Sequence, residues 1–145
     1  MAPDDGIRLR AQDSGDLTVV SAHLQDALVS VRDLAFDRDE RRFVLVANRF
    51  RWERAGNGAN SGHERTLCGI SFAEVDRVSY RGFRRSEEDR ILSLLAIRLP
   101  DGGGTIDLDF SADVSIRLSV AAIECLVRDL GEPWPTAWQP DHEKP

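Results

Sequence analysis

From Val29 to Leu118 the chain is written in short runs in which apolar and polar residues alternate. Successive side chains of a strand point to opposite faces, so a period of two marks a strand with one buried face. The runs follow one another through turns, with no helical period between them. That order excludes an alternating β-α scaffold, because parallel strands need long crossover connections. It predicts consecutive hairpins around a shared apolar interior. After Leu118 the pattern changes. Val120, Ile123, Leu126, Val127 and Leu130 fit the spacing of an amphipathic helix, with Glu124 and Arg128 as an outward pair and Gly131 as its C′ residue. The expectation is a small barrel or strongly curved sheet closed by one C-terminal helix.

The details follow from turn chemistry and periodicity. Ile7–Arg10 alternates and suits a short strand, and Asp13-Ser-Gly-Asp16 supplies helix-capping residues. Leu17, Val20, Leu24 and Leu28 then recur at helical spacing, which predicts a short helix over 16–26. Phe43–Glu53 is the clearest strand. Val44, Val46, Asn48, Phe50 and Trp52 share one face, and Arg49, Arg51 and Glu53 share the other, read as the charged, outward one. A glycine- and asparagine-rich loop fills 55–62. Strands resume at Leu67–Phe72, at Arg77–Arg81 after a break near Ala73-Glu74, and at Ile91–Leu99, which is apolar on both faces and so central. Ile106, Leu108 and Phe110 alternate with Asp107 and Asp109, and a turn at Ser111-Ala-Asp113 leads back through Val114, Ile116 and Leu118. Setting Phe110 opposite Val114 places Asp107 opposite Arg117, a match of charges that supports this register. Residues 1–131 read as one domain, and 132–145 as a tail rich in proline and tryptophan.

At 145 residues, 41% hydrophobic and 30% charged, the chain has the length and composition of one globular domain with its own core. No apolar run reaches the roughly 18 residues of a membrane span, and Met1–Asp5 lacks the apolar stretch of a signal peptide. A cytoplasmic protein is expected. Cys68 and Cys125 each sit in an apolar setting and read as reduced, buried thiols rather than a disulfide. The net charge of −6 is unevenly spread: residues 41–100 hold 12 basic groups against 7 acidic, all of the former arginine. Arginine suits planar pairing with carboxylate or phosphate. The acidic total argues against a nucleic-acid partner.

About seven strands ending in one helix resemble the pleckstrin-homology-like barrel, and the break near Ala73-Glu74 resembles the step between that fold's third and fourth strands. The resemblance implies an α+β domain: antiparallel strands in a barrel or curved sheet, a short N-terminal helix and a C-terminal capping helix. Ala22-His-Leu-Gln-Asp26, Asn48-Arg-Phe-Arg-Trp-Glu53, Leu92-Ser-Leu-Leu-Ala-Ile97 and Ile116-Arg-Leu118 also resemble a bacterial family, domain-of-unknown-function family 2948, found mainly in alphaproteobacteria. That resemblance implies no activity and carries over no catalytic residue.

No stretch has the spacing of a reaction centre. Asp101-Gly-Gly-Gly104 lacks the lysine and following helix of a phosphate loop and reads as a hairpin turn. His23, His63 and His142 are too scattered for a metal centre, and no cofactor is expected. The candidate ligand-binding residues are His23 and Asp26, three apart on one helix face; Asn48, a polar residue on an apolar face; and Arg49, Arg51, Trp52 and Arg81, which with Arg84 and Arg85 would form a positive surface if their strands adjoin. The leading functional reading is a non-enzymatic binding module for a protein partner or an anionic small ligand. The alternative is a small enzyme or small-molecule binder using His23, Asp26 and the arginines. An exposed sheet edge invites pairing, so a homodimer is also expected.

Overall fold

The computed structural model describes residues 6–50, 64–130 and 134–135. It holds β1 (Arg8–Ala11), α1 (Ser14–His23), β2 (Leu28–Asp37), β3 (Arg42–Phe50), β4 (Glu64–Phe72), β5 (Val75–Arg81), β6 (Ile91–Arg98), β7 (Thr105–Phe110), β8 (Val114–Val120), β9 (Cys125–Asp129) and the two-residue β10 (Trp134–Pro135). One antiparallel sheet runs in the order β1-β9-β4-β3-β2-β6-β7-β8-β5, and β10 pairs with β4 beyond the end of β9. Arg51, Trp52, Glu53, the loop at 55–62, Gly131 and most of the tail lie outside the described residues.

The helix α1 starts where the sequence places it. The Asp13 side chain accepts a hydrogen bond from the Asp16 N–H at 2.8 Å, satisfying a donor that the first turn leaves free. Leu17, Val20 and Leu24 are buried as their spacing predicts. Leu28 does not continue that stripe; it opens β2 and is partly exposed.

The architecture corrects the expectation in two respects. The sheet is open, with β1 and β5 at its ends, so the molecule is not a closed barrel; among the described residues its only helix is α1, so the chain is all-β in character rather than α+β with about seven strands. The second correction concerns the predicted C-terminal helix. Residues 125–129 are the strand β9, paired with β4 on one side and β1 on the other. Cys125 and Val127 are buried, while Leu126 and Leu130, counted in the helical stripe, are 47% and 45% exposed. Over so short an apolar run, periods of 2 and 3.6 share several positions, and the tertiary pairing decides. Glu124 does not pair with Arg128; it accepts hydrogen bonds from Arg10 Nε at 2.8 Å and Gln12 Nε2 at 3.0 Å.

The sheet curls where two pairs of consecutive strands, β4 with β5 and β8 with β9, lie far apart in its order. β4 passes to β5 through Ala73-Glu74 alone, with Glu74 in the left-handed region at φ 61°. β8 passes to β9 through 121–124. The two corners are tied: the Ala73 N–H donates to the Glu124 carbonyl at 2.9 Å and the Ala121 N–H to the Glu74 carbonyl at 3.0 Å. The end strand β5 is thereby drawn back beside the start of β3, where the Val75 N–H donates to the Arg41 carbonyl at 2.9 Å. β6 serves both halves of the curl. Its first residues, Ile91–Ser93, pair with β2, and Leu94–Arg98 pair with β7 across an irregularity between Leu94 and Ala96.

Inside the curl, one core gathers Phe43, Leu45 and Ala47 of β3, Ile70 and Phe72 of β4, Ile106, Leu108 and Phe110 of β7, Ile116 and Leu118 of β8, and the stripe of α1. Burying each large aliphatic or aromatic side chain is worth about 1.5–3 kcal/mol. The hairpin of β7 and β8 has the register that its charges predict, with Phe110 opposite Val114 and Asp107 opposite Arg117. Cys68 and Cys125 are both fully buried, and burial, reinforced by Cys68 and then Glu124, pushes the Cys125 thiol up to about 12. Such a thiol stays protonated and unreactive.

Candidate functional site

The residues singled out in the sequence separate into three places. Asp26 and Asn48 meet through a residue the sequence reading did not name. Arg65 of β4 donates from Nε to Asn48 Oδ1 at 2.8 Å, and from Nη2 to the Asn48 carbonyl at 3.0 Å and the Asp26 carbonyl at 3.3 Å. Burial lowers the Arg65 pKa, the charge of Asp26 opposing it. The guanidinium also stands over the Phe50 ring, 6.0 Å from its centroid. Asn48 thus fastens β3 to a side chain of β4. Asp26 itself is exposed, in the left-handed region at φ 65°, three residues beyond His23, the half-buried last residue of α1.

Arg49 lies elsewhere, and its side chain points opposite to the outward face expected of it. Phe43, Leu45, Ala47 and Arg49 form the buried face of β3, while Val44, Val46, Asn48 and Phe50 are half-buried on the other. Arg49 is fully buried and grips Asp129 of β9 with two bonds, Nε to Oδ1 at 2.9 Å and Nη2 to Oδ2 at 2.8 Å. Asp129 Oδ2 also accepts the Ile7 N–H at 2.8 Å. The strand's apolar residues occupy both faces, so alternation alone did not reveal which face turns inward. Asp129, 80 positions away, decides it.

Arg81 belongs to the third place, the outer surface of β5 to β8. Pairing sets Arg98, Asp107, Arg117 and Ser79 in one row across four strands. Arg117 holds Asp107 with two bonds, at 2.7 and 2.8 Å, and Arg98 Nη2 donates to the same carboxylate at 3.3 Å. Arg98 also pairs with Asp109. Asp107 is consequently only 4% exposed although it lies on the outer face. These hydrogen bonds, and then the charges behind them, raise the pKa of both arginines, Asp107 acting on Arg117 and Asp109 on Arg98. The groove here, about 470 Å³, is lined by Ser79, Tyr80, Arg81, Arg98, Arg117 and the two aspartates, with Ser115. Within it the arginines of β6 and β8 neutralise the aspartates of β7. Arg81 makes no ion pair among the described residues.

A second cleft of about 270 Å³ opens around the end strand β5, between it and the end of β2. Phe36, Arg38, Arg77, Val78, Tyr80 and Arg85 line it, and no carboxylate does. The arginines stand against aromatic faces: Arg85 lies 5.1 Å from the Tyr80 ring centroid and Arg38 5.7 Å from that of Phe36. Ring faces carry negative potential and attract guanidinium groups. Arg85 is further fixed by donating to Tyr80 Oη at 2.8 Å and to the Leu34 carbonyl at 3.0 Å. Phe83 braces the Tyr80 ring edge-on, centroids 5.7 Å apart. Burial raises the Tyr80 pKa, and Arg85 opposes it. Tyr80 lines both openings, so the two grooves flank one strand.

Sequence spacing groups Arg81 and Arg85 with Arg49 in a positive surface, whereas the structure sets Arg85 with Arg38, Arg77, Phe36 and Tyr80, none of which that spacing singles out. The spacing of Arg77, Ser79 and Arg81 on alternate positions of one strand was the available clue. Arg38, in the turn after β2, reaches the cleft only through the curl of the sheet, which no local pattern encodes.

Among the described residues no group of three or more histidine, cysteine, aspartate or glutamate side chains is arranged to hold a metal ion, and no helix is long and apolar enough to cross a membrane. No curated protein and no solved structure matches the chain. A family model does match, over residues 7–142, and its description is "Protein of unknown function (DUF2948)". With nearly its whole length covered by that model, the chain belongs to the DUF2948 family.

Proposed function

We propose that this chain is a non-enzymatic binding module that receives an anionic group, carboxylate or phosphate, in the cleft of Arg38, Arg77 and Arg85. One observation carries the reading: three arginines line one cleft, two of them set against aromatic rings, with no carboxylate lining the same space. An anion entering there gains charge-assisted hydrogen bonds without displacing an internal partner from Arg38 or Arg77. Elsewhere in the molecule, arginines such as Arg49, Arg98 and Arg117 are already engaged by aspartates. The enzyme reading has less support, because it needs Arg49 beside His23 and Asp26, and Arg49 is turned inward onto Asp129.

The test is an NMR titration that follows arginine Nε–H signals as inorganic phosphate is added. Saturable shifts at Arg38, Arg77 and Arg85, with a Kd of about 1 mM, are expected for a small anion held by a few partly screened charges. Arg77→Ala weakens binding at least threefold. Equal, unsaturable shifts at every exposed arginine would overturn the proposal.

A further inference from the structure

We infer that the occupant of this site is an extended acidic peptide that joins the sheet as a strand along the free edge of β5. The inference rests on the anion-binding reading of the same cleft and adds a backbone component to it. β5 pairs with β8 on one side only. On its other side the Val75 N–H is taken by Arg41, and from Arg77 to Arg81 no further backbone partner exists among the described residues. Alternate N–H and C=O groups along such an edge are unpaired and can template another strand.

The side chains say what kind of strand fits. Arg77, Ser79 and Arg81 are exposed at alternate positions, Arg77 lining the aromatic cleft and Arg81 the larger groove, and Val78 and Tyr80 between them are half-buried. A strand added in either direction sets one residue opposite Arg77 and another, four positions along, opposite Arg81. Acidic residues at positions i and i+4 therefore meet both arginines. Residues i+1 and i+3 fall beside Tyr80 and Val78, the half-buried residues of the strand, and an apolar side chain suits them. The same row opposes self-pairing. If two copies joined antiparallel through β5, centred on Ser79, Arg77 of each would face Arg81 of the other, and like charges directly opposed are destabilising. The edge thus discriminates against a second copy and in favour of an acidic chain.

The experiment uses the full chain and three probes. The first is a capped seven-residue peptide with glutamate at its second and sixth positions, valine at its third and fifth, and threonine elsewhere. The second has the same composition with glutamate at positions two and five and valine at three and six. The third is inorganic phosphate. Strand addition predicts at least tenfold tighter binding of the first peptide than the second, with slowed amide hydrogen exchange within Arg77–Arg81. The double variant Arg77→Glu/Arg81→Glu changes only exposed side chains; it loses the first peptide at least tenfold and gains one with lysine in place of glutamate. If phosphate binds but the two peptides bind alike and protect no amides of β5, the anion site stands and the strand inference falls. If neither phosphate nor peptide binds, both fall. Protection appearing instead on Arg8–Ala11, the opposite edge of the sheet, also overturns the inference.

Discussion

Taking away the Arg49 guanidinium would leave the Asp129 carboxylate, 6% exposed, in the interior with, among the described residues, only the Ile7 N–H still donating to it. Breaking a buried pair from one side costs about 3–5 kcal/mol, whereas replacing both partners by apolar groups costs far less. Arg49→Ala should therefore lower stability by about 3–5 kcal/mol in urea unfolding, and Arg49→Met/Asp129→Leu should recover more than half of that loss. A double variant no better than the single would show that the pair contributes little beyond its packing. At the hairpin turn before β7, Asp101 behaves differently because it is exposed. Its carboxylate accepts the N–H groups of Gly103, Gly104 and Thr105 and the Thr105 hydroxyl. The Gly103 bond leads in holding its pKa below the ordinary value of 3.8. A carboxyl with a depressed folded value stabilises the fold above its unfolded value, and that contribution is lost as pH falls through the folded value. Asp101→Asn should accordingly lower the urea midpoint at neutral pH, and the gap to the parent chain should close as the pH falls below 3.8. A gap that stays constant with pH would rule out the charge of Asp101 as its origin.

Among the elements, β9 is where strand and helix make opposite predictions for neighbouring residues. Val127 is 1% exposed and Leu126 47%. Val127→Ala should cost about 2 kcal/mol and Leu126→Ala no more than about 0.5 kcal/mol; in a helix carrying both on its apolar stripe the two costs would be similar. Comparison of the two variants by chemical denaturation decides between these outcomes. The hairpin of β7 and β8 was legible because its information is local: alternation, a short turn and the pairing of Asp107 with Arg117 lie within a dozen or so residues. The capping of α1 was legible for the same reason. The face of β3 was not, since both faces are apolar over Phe43–Ala47 and the deciding partner is Asp129. The number of strands and the open order of the sheet depend on pairings such as β1 with β9 and β2 with β6, which bring together segments from distant parts of the chain. The candidate cleft fell between these cases. Arg77 and Arg81 declare themselves by alternate spacing on β5, but Phe36 and Arg38 reach it only because the Ala73-Glu74 corner swings β5 round to them.

For the whole molecule, those distant pairings also set the pace of folding. β9 cannot find β1 and β4 until the chain's two ends have been brought together, and closing such long loops is costly before any contact rewards it. Refolding should take about milliseconds to seconds, as for other sheet proteins dominated by non-local pairing, and stopped-flow tryptophan fluorescence measures it; completion within microseconds would contradict the observed strand order. The curl leaves two gaps in the ladder, and they are treated differently. Where β2 parts from β6, the helix α1 moves in, and the Ser21 hydroxyl accepts the Ile97 N–H at 3.0 Å. Beside β5 no element of the described residues does the same, and arginines stand along the opening instead. One gap is plugged by the chain itself and the other is guarded by charge. On the proposed reading a partner along β5 is held partly by charge, so rising salt should loosen it while the strands around the apolar core hold their shape.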